Sequence, residues 1–116
     1  MVATNYTFVC EQGANFLEVV TWKNAEGEPV DNTGYTARMQ VRREPDADVA
    51  ANLTTENGKI SLGGVNGEVT LSFSAAETAA MVPGDYFYDL EMVSAGGAVS
   101  RIIEGVFSVN REITKA

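Results

Sequence analysis

Few side chains in this sequence are equipped for chemistry. Cys10 is the only thiol and there is no histidine, so a cysteine nucleophile would lack the imidazole that normally activates it. It reads instead as a small apolar strand residue, and alone it can form no intrachain disulfide. Asp89 and Glu91 are two residues apart on an alternating stretch, which turns both outward from a strand rather than into a cleft. General acid–base work needs positioned groups with shifted proton affinities, and nothing in the spacing suggests a pocket. Glu26, Glu28 and Asp31 supply oxygens too sparsely and irregularly for a calcium loop. Asn5-Tyr6-Thr7 and Asn52-Leu53-Thr54 fit the glycosylation acceptor pattern, which matters only on a eukaryotic secretory route. The expectation is no catalytic, cofactor-binding or metal-ligating residue and no enzyme activity.

Bulk properties narrow the class. The 116 residues suit one domain with its own core, and 45% apolar content is that of a globular chain. Sixteen acidic residues against eight basic ones give a formal charge of −8. No basic stripe exists to release counterions from a phosphate backbone, so nucleic acid is an improbable partner. The start Met1-Val2-Ala3-Thr4-Asn5 has neither a basic nor an apolar signal region, and no apolar run reaches membrane-spanning length. A soluble protein made in a cytoplasm, without membrane insertion, is expected.

What must position any functional surface is a set of strands. The stretch from Val82 to Val93 organises the rest: a Pro-Gly turn, then strict alternation with Tyr86, Tyr88, Leu90 and Met92 on one face and Asp89 and Glu91 on the other. It turns at Ser94-Ala95-Gly96-Gly97 and returns over 99–109, with Ile103, Phe107 and Val109 inward. Adjacent Ile102 and Ile103 break the alternation, and Gly105 falls in mid-strand; both point to a bulge, or to a ring of Tyr86 or Tyr88 lying over the glycine.

Upstream, 6–10 reads as a strand with Tyr6, Phe8 and Cys10 on one side. The next strand, 16–22, has an awkward parity: Phe16, Val20 and Trp22 share a face with Glu18, while Leu17, Val19 and Thr21 share the other. Either Glu18 reaches a sheet edge or solvent, or both faces are covered, the outer one by another subunit. The stretch 35–42 turns Tyr35, Ala37, Met39 and Val41 in and Arg38, Gln40 and Arg42 out; that outer row is a solvated face or an ion-pairing surface for an acidic partner. A weaker strand covers 49–55, Asn57-Gly58 signals a type I′ hairpin turn, and short strands follow around Ile60 and Leu62 and over 68–73. Ser74-Ala75-Ala76-Glu77 is a capping box opening one short helix over about 75–81, stopped by Pro83.

Strands at such intervals with Gly-containing turns predict an all-β, immunoglobulin-like antiparallel β-sandwich of about seven or eight strands with that one helix; a small closed barrel is the alternative. The domain is expected to span residues 1–110, with 111–116 a polar C-terminal tail. Tyr86 or Tyr88 is placed for the backward hydrogen bond of a tyrosine corner, and Trp22 for a large core side chain without a disulfide.

A family resemblance rests on Phe16, Thr21-Trp22-Lys23, Gly27-Glu28-Pro29-Val30-Asp31, Thr33-Gly34-Tyr35-Thr36 with the alternation to Arg42, Gly84-Asp85-Tyr86-Phe87-Tyr88-Asp89-Leu90-Glu91, and Gly105-Val106-Phe107-Ser108-Val109. On these the chain resembles immunoglobulin-like structural proteins of tailed bacteriophages and prophages, and in particular the N-terminal domain of baseplate upper proteins. Where that pattern expects an apolar residue two after Phe16, this chain has Glu18. The resemblance implies a non-enzymatic virion component of the tail tip, baseplate or fibre-attachment region, assembled in the bacterial cytoplasm, docking to other virion proteins and self-associating, with a trimer the guess from tail symmetry. Leu17, Val19, Arg38, Gln40 and Arg42 are the candidate contact residues. The alternative is a recognition module that binds a host-surface carbohydrate or protein through its loops, with Tyr6, Trp22 or Tyr35 stacking on sugars.

Overall fold

The computed structural model describes residues 3–114; the first two residues of the expected domain and the last two of the expected tail lie outside them. Among the described residues nine strands and one α-helix are formed: β1 (Thr4–Asn5), β2 (Phe8–Glu11), β3 (Phe16–Thr21), β4 (Thr36–Arg42), β5 (Val49–Thr54), β6 (Ile60–Leu62), β7 (Glu68–Phe73), α1 (Ala75–Ala79), β8 (Gly84–Val93) and β9 (Val99–Asn110). They make a two-sheet sandwich. The larger sheet runs β1–β9–β8–β4–β5, with β2 also paired to β9, and the smaller runs β3–β7–β6. The fold is the expected all-β sandwich with one short helix.

The core follows the period-two patterns. Ala37, Met39 and Val41 of β4, Tyr86, Tyr88, Leu90 and Met92 of β8, and Val69, Leu71 and Phe73 of β7 are all buried. Aromatic rings from both sheets meet in the middle: Phe107 lies 5.3 Å from Phe16 and 6.2 Å from Phe73, and Phe8 lies 5.0 Å from Tyr88. Each such ring contributes on the order of 1.5–3 kcal/mol by leaving water. Trp22 packs edge-on against Tyr35 at 5.4 Å, as the core residue expected, and its buried Nε1 makes no hydrogen bond among the described residues. Cys10 is buried, and burial, then the charge of Glu11, pushes its thiol up to about 11, which keeps it protonated and inert.

The corner before β8 forms as expected. The Tyr86 hydroxyl donates to the Val82 carbonyl at 2.6 Å, while the Tyr88 hydroxyl donates to the Tyr6 carbonyl at 2.7 Å. One bond ties the strand to its own corner; the other spans 82 residues. Tyr86→Phe and Tyr88→Phe are each expected to cost roughly 0.5–1.5 kcal/mol in urea unfolding. Equal stability of both variants with wild type would refute the corner. α1 opens on the capping box: Ser74 Oγ accepts from the Glu77 N–H and Glu77 Oε1 from the Ser74 N–H. It ends at Ala79, short of residue 81, because Met81 turns inward to join the core.

Three expectations are corrected. The 6–10 strand is broken in two, and Tyr6 is exposed rather than inward. Its backbone instead crosses over Gly105, where a Cβ would sit 2.3 Å from the Tyr6 carbonyl oxygen. β9 takes Gly105 because this backbone approaches it so closely, and Tyr88, its cross-strand neighbour, holds that backbone by its hydroxyl. The bulge does form, at the expected Ile102–Ile103 pair rather than at Gly105, where Leu90 pairs Ile103 and Glu91 pairs Arg101; Ile102 is the extra residue, and both isoleucines are buried.

Second, Asn57-Gly58 is not a hairpin turn. β5 and β6 belong to different sheets, and Asn57 lacks the positive φ that type I′ requires, since none of the non-glycine residues described has one. Asn57 Oδ1 accepts from the N–H groups of Thr54 and Lys59, both at 3.0 Å, so the side chain shapes a crossover between sheets. Third, the sandwich is not wholly antiparallel: β1 and β2 pair with β9 in parallel.

Candidate functional site

Two surfaces stand out once the sheets are assembled. The first is β3. Phe16, half-buried Glu18 and Val20 face inward and Leu17 and Val19 outward, which resolves the parity of this strand. Leu17 is 67% and Val19 54% exposed. The small sheet places β3 at its margin, bonded to β7 alone. The Trp22 N–H donates to the Gly67 carbonyl at 2.8 Å, and the register continues as Val20 with Val69 and Glu18 with Leu71. By the alternation of an antiparallel ladder, Leu17, Val19 and Thr21 therefore aim their N–H and C=O groups at the open edge. An apolar pair and a row of unpaired backbone groups coincide on one strand.

The second surface lies on the outer face of the large sheet. A trough of ≈ 750 Å³ runs across β4, β8 and β9, and Phe87, Val106 and Pro45 line it together with Asp46, Asp89 and Glu104. Phe87 is 51% exposed. Gln40 and Arg42 are also in its lining, so part of the candidate row of β4 borders this trough. Arg38 Nε bonds Glu91 Oε1 at 2.8 Å, and Arg42 bonds the Gln40 side chain at 2.8 Å and the Ala47 carbonyl. Both arginines thus find acceptors within this chain, a carboxylate for Arg38 and two neutral oxygens for Arg42. Across the sheet, Arg101 stands 3.3 Å from Asp89, 3.5 Å from Glu104 and 4.0 Å from Glu91. These are exposed pairs, each worth about 0–1 kcal/mol.

Leu17 and Val19 are thus brought together on one edge, Gln40 and Arg42 on the other surface, and Tyr86, Tyr88 and Trp22 are core. Phe87 was not singled out by sequence reasoning, though its signal was present: an aromatic on the polar face of β8, between two inward tyrosines. Asn32 and Thr78, the buried polar residues, were also missed. Asn32 Oδ1 accepts from the Gly64 N–H at 2.7 Å and its Nδ2 donates to the Glu68 carbonyl at 3.1 Å. Thr78 Oγ1 accepts from the Gly13 N–H at 3.0 Å and donates to the Ala14 carbonyl at 2.8 Å. They pin the two loops that flank β3. Asp31 is committed locally, its Oδ1 accepting from the Thr33 hydroxyl at 2.6 Å, which holds its carboxyl below the usual range.

The fold is an immunoglobulin-like β-sandwich with an open edge on its small sheet and a trough on the outer face of its large one. The chain matches no protein-family model and no curated protein. Among solved structures it is similar to CopC from Methylosinus trichosporium OB3b, at 9% identity and a TM-score of 0.42, covering 88% of this chain and 99% of that one. It is also similar to extracellular domains 3–5 of Drosophila OTK (15% identity, TM-score 0.40, 89% of this chain and 32% of that one). A family 123 glycoside hydrolase from Clostridium perfringens is a third (11% identity, TM-score 0.40, 97% and 24%). The chain spans about a third and a quarter of the latter two.

Proposed function

We propose that this chain is a non-enzymatic structural protein of a tailed-phage virion, a tail-tip, baseplate or fibre-attachment component that docks onto neighbouring virion proteins. The resemblance residues support the setting, and the observation that carries the docking role is the edge of β3. Its free N–H and C=O groups can take an added strand from a neighbour, the recurrent route of β-augmentation, while Leu17 and Val19 give the added strand an apolar face to cover. Isolated edges are usually blunted by charges or proline; the outward positions of β3 carry Leu17, Val19 and Thr21, none of which blunts it. The occupant is an extended segment of an adjacent virion protein.

Leu17→Lys with Val19→Lys puts charge on two outward positions and is expected to change folding stability by only about 0.5 kcal/mol. Incorporation into particles, read by quantitative mass spectrometry of purified virions, is expected to fall about tenfold or more, a loss of about 1.4 kcal/mol or more of docking free energy. Wild-type particles that lack the polypeptide would sink the virion reading. Normal incorporation of the double variant would leave the virion reading standing and remove β3 as the docking edge.

A further inference from the structure

The trough on the large sheet is separate from the β3 edge and has its own chemistry. Its apolar lining includes the half-exposed ring of Phe87 with Val106 and Pro45, and its charged lining is Asp46, Asp89 and Glu104 against the one Arg42. Arg42 and the neighbouring Arg101 are both already engaged. Arg42 is held by Gln40 and the Ala47 carbonyl, and the single Arg101 is shared among three carboxylates, at 3.3 Å from Asp89, 3.5 Å from Glu104 and 4.0 Å from Glu91. Asp46 has no ion-pair partner among the described residues. Burial holds the Asp89 carboxyl above the usual carboxylate range despite Arg101. The surface thus combines exposed aromatic area with a surplus of negative charge, the complement of an apolar segment that carries a base.

We infer that this trough is a docking site for a basic, apolar-flanked segment of a partner protein, with a lysine or arginine head joining Arg101 among the carboxylates of Asp46, Asp89 and Glu104 and apolar side chains on Phe87 and Val106. The occupant is extended, because the floor is the pleated face of three neighbouring strands. An acidic segment meets like charge on entering, and a wholly apolar one leaves the surplus carboxylate charge, beyond what Arg101 and Arg42 offset, uncompensated. Phe87 supplies contact area and Asp89 with Glu104 supply the sign.

A display library of random twelve-residue peptides, selected on the full chain and counter-selected on a Phe87→Ser variant, tests this directly. Phe87 lies on the outer face, so its replacement leaves the core intact, and thermal unfolding verifies that the variant is folded. Enriched peptides are expected to be net basic, with a lysine or arginine next to aliphatic or aromatic residues. A selected peptide is expected to bind about tenfold more weakly to a second variant, Asp89→Asn with Glu104→Gln, and to shift the backbone amide signals of Phe87, Asp89 and Val106 in NMR titration. Enrichment of acidic or neutral peptides, enrichment insensitive to Phe87→Ser, or no enrichment over the variant would each overturn the assignment. Peptides that perturb Leu17 and Val19 instead would overturn it while supporting the β3 edge.

Discussion

Replacing Gly105 by alanine is expected to destabilise the domain by roughly 3 kcal/mol or more, combining backbone strain and overpacking. Gly105 has φ of +153°, and a Cβ there would stand 2.3 Å from the Tyr6 carbonyl oxygen and 3.0 Å from its carbon. The obstacle is backbone and cannot rotate away. Moving it would break the Tyr6 N–H bond to the Glu104 carbonyl, 2.9 Å, and the Tyr88 hydroxyl bond to Tyr6, 2.7 Å. Gly97→Ala is the control: its φ is +92° but nothing lies within 4 Å of the added Cβ, so about 1 kcal/mol is expected from the backbone alone. Equilibrium urea unfolding compares the two, and equal costs would mean that Tyr6 does not press on β9.

The second large effect is expected at Asn32. Asn32→Leu keeps an apolar volume at a buried position but strands the Gly64 N–H and takes one of two donors from the Glu68 carbonyl, which keeps the Gly63 N–H at 2.8 Å. The unpaired donor and the lost bond together are expected to cost about 2–3 kcal/mol. Asn32→Asp retains the acceptor for Gly64 and loses the donor to Glu68, placing a carboxylate against a carbonyl in a buried site. The folded state then favours the protonated acid, so its proton affinity rises on folding. The penalty is therefore smallest at acidic pH and grows as pH rises through the carboxylate range. A urea series at several pH values reads this, and a flat penalty would show that the side chain escapes to solvent.

Much of the architecture is legible in the residues because one face of most strands is core. Tyr86 to Met92 could be read without coordinates: period-two burial leaves no other register. The capping box at Ser74 and Glu77 is legible because it is local, and the bulge because Ile102 and Ile103 cannot both face inward on a regular strand. What escaped depends on neighbours distant in the chain. Asn32 and Thr78 are polar residues in short segments without periodicity, and their partners lie 32 to 65 positions away. Asn57-Gly58 carries a strong hairpin signal, yet the strands it joins lie in different sheets, and tertiary pairing overrides local preference.

The candidate surfaces divide the same way. Parity alone put Leu17 and Val19 on one face, but that β3 is an edge depends on where the first strand goes. What meets the β4 face could not be read from Arg38, because its partner Glu91 lies 53 positions later, on β8, which pairs with β4 only in the folded sheet.

That first strand has a further consequence. β1 and β2 run beside β9 in the same direction, from Thr4 opposite Ile103 to Glu11 opposite Asn110. The leading end of one and the trailing end of the other therefore lie at opposite ends of the paired stretch. Tension applied through the two ends of the domain pulls these strands past one another in shear. Their cross-strand bonds bear the load together and must yield together, whereas an antiparallel pair held at one end would peel open bond by bond. Forced unfolding is governed by the height of that barrier rather than by equilibrium stability. The threading that leaves β3 uncovered also clamps the domain against being drawn out lengthwise.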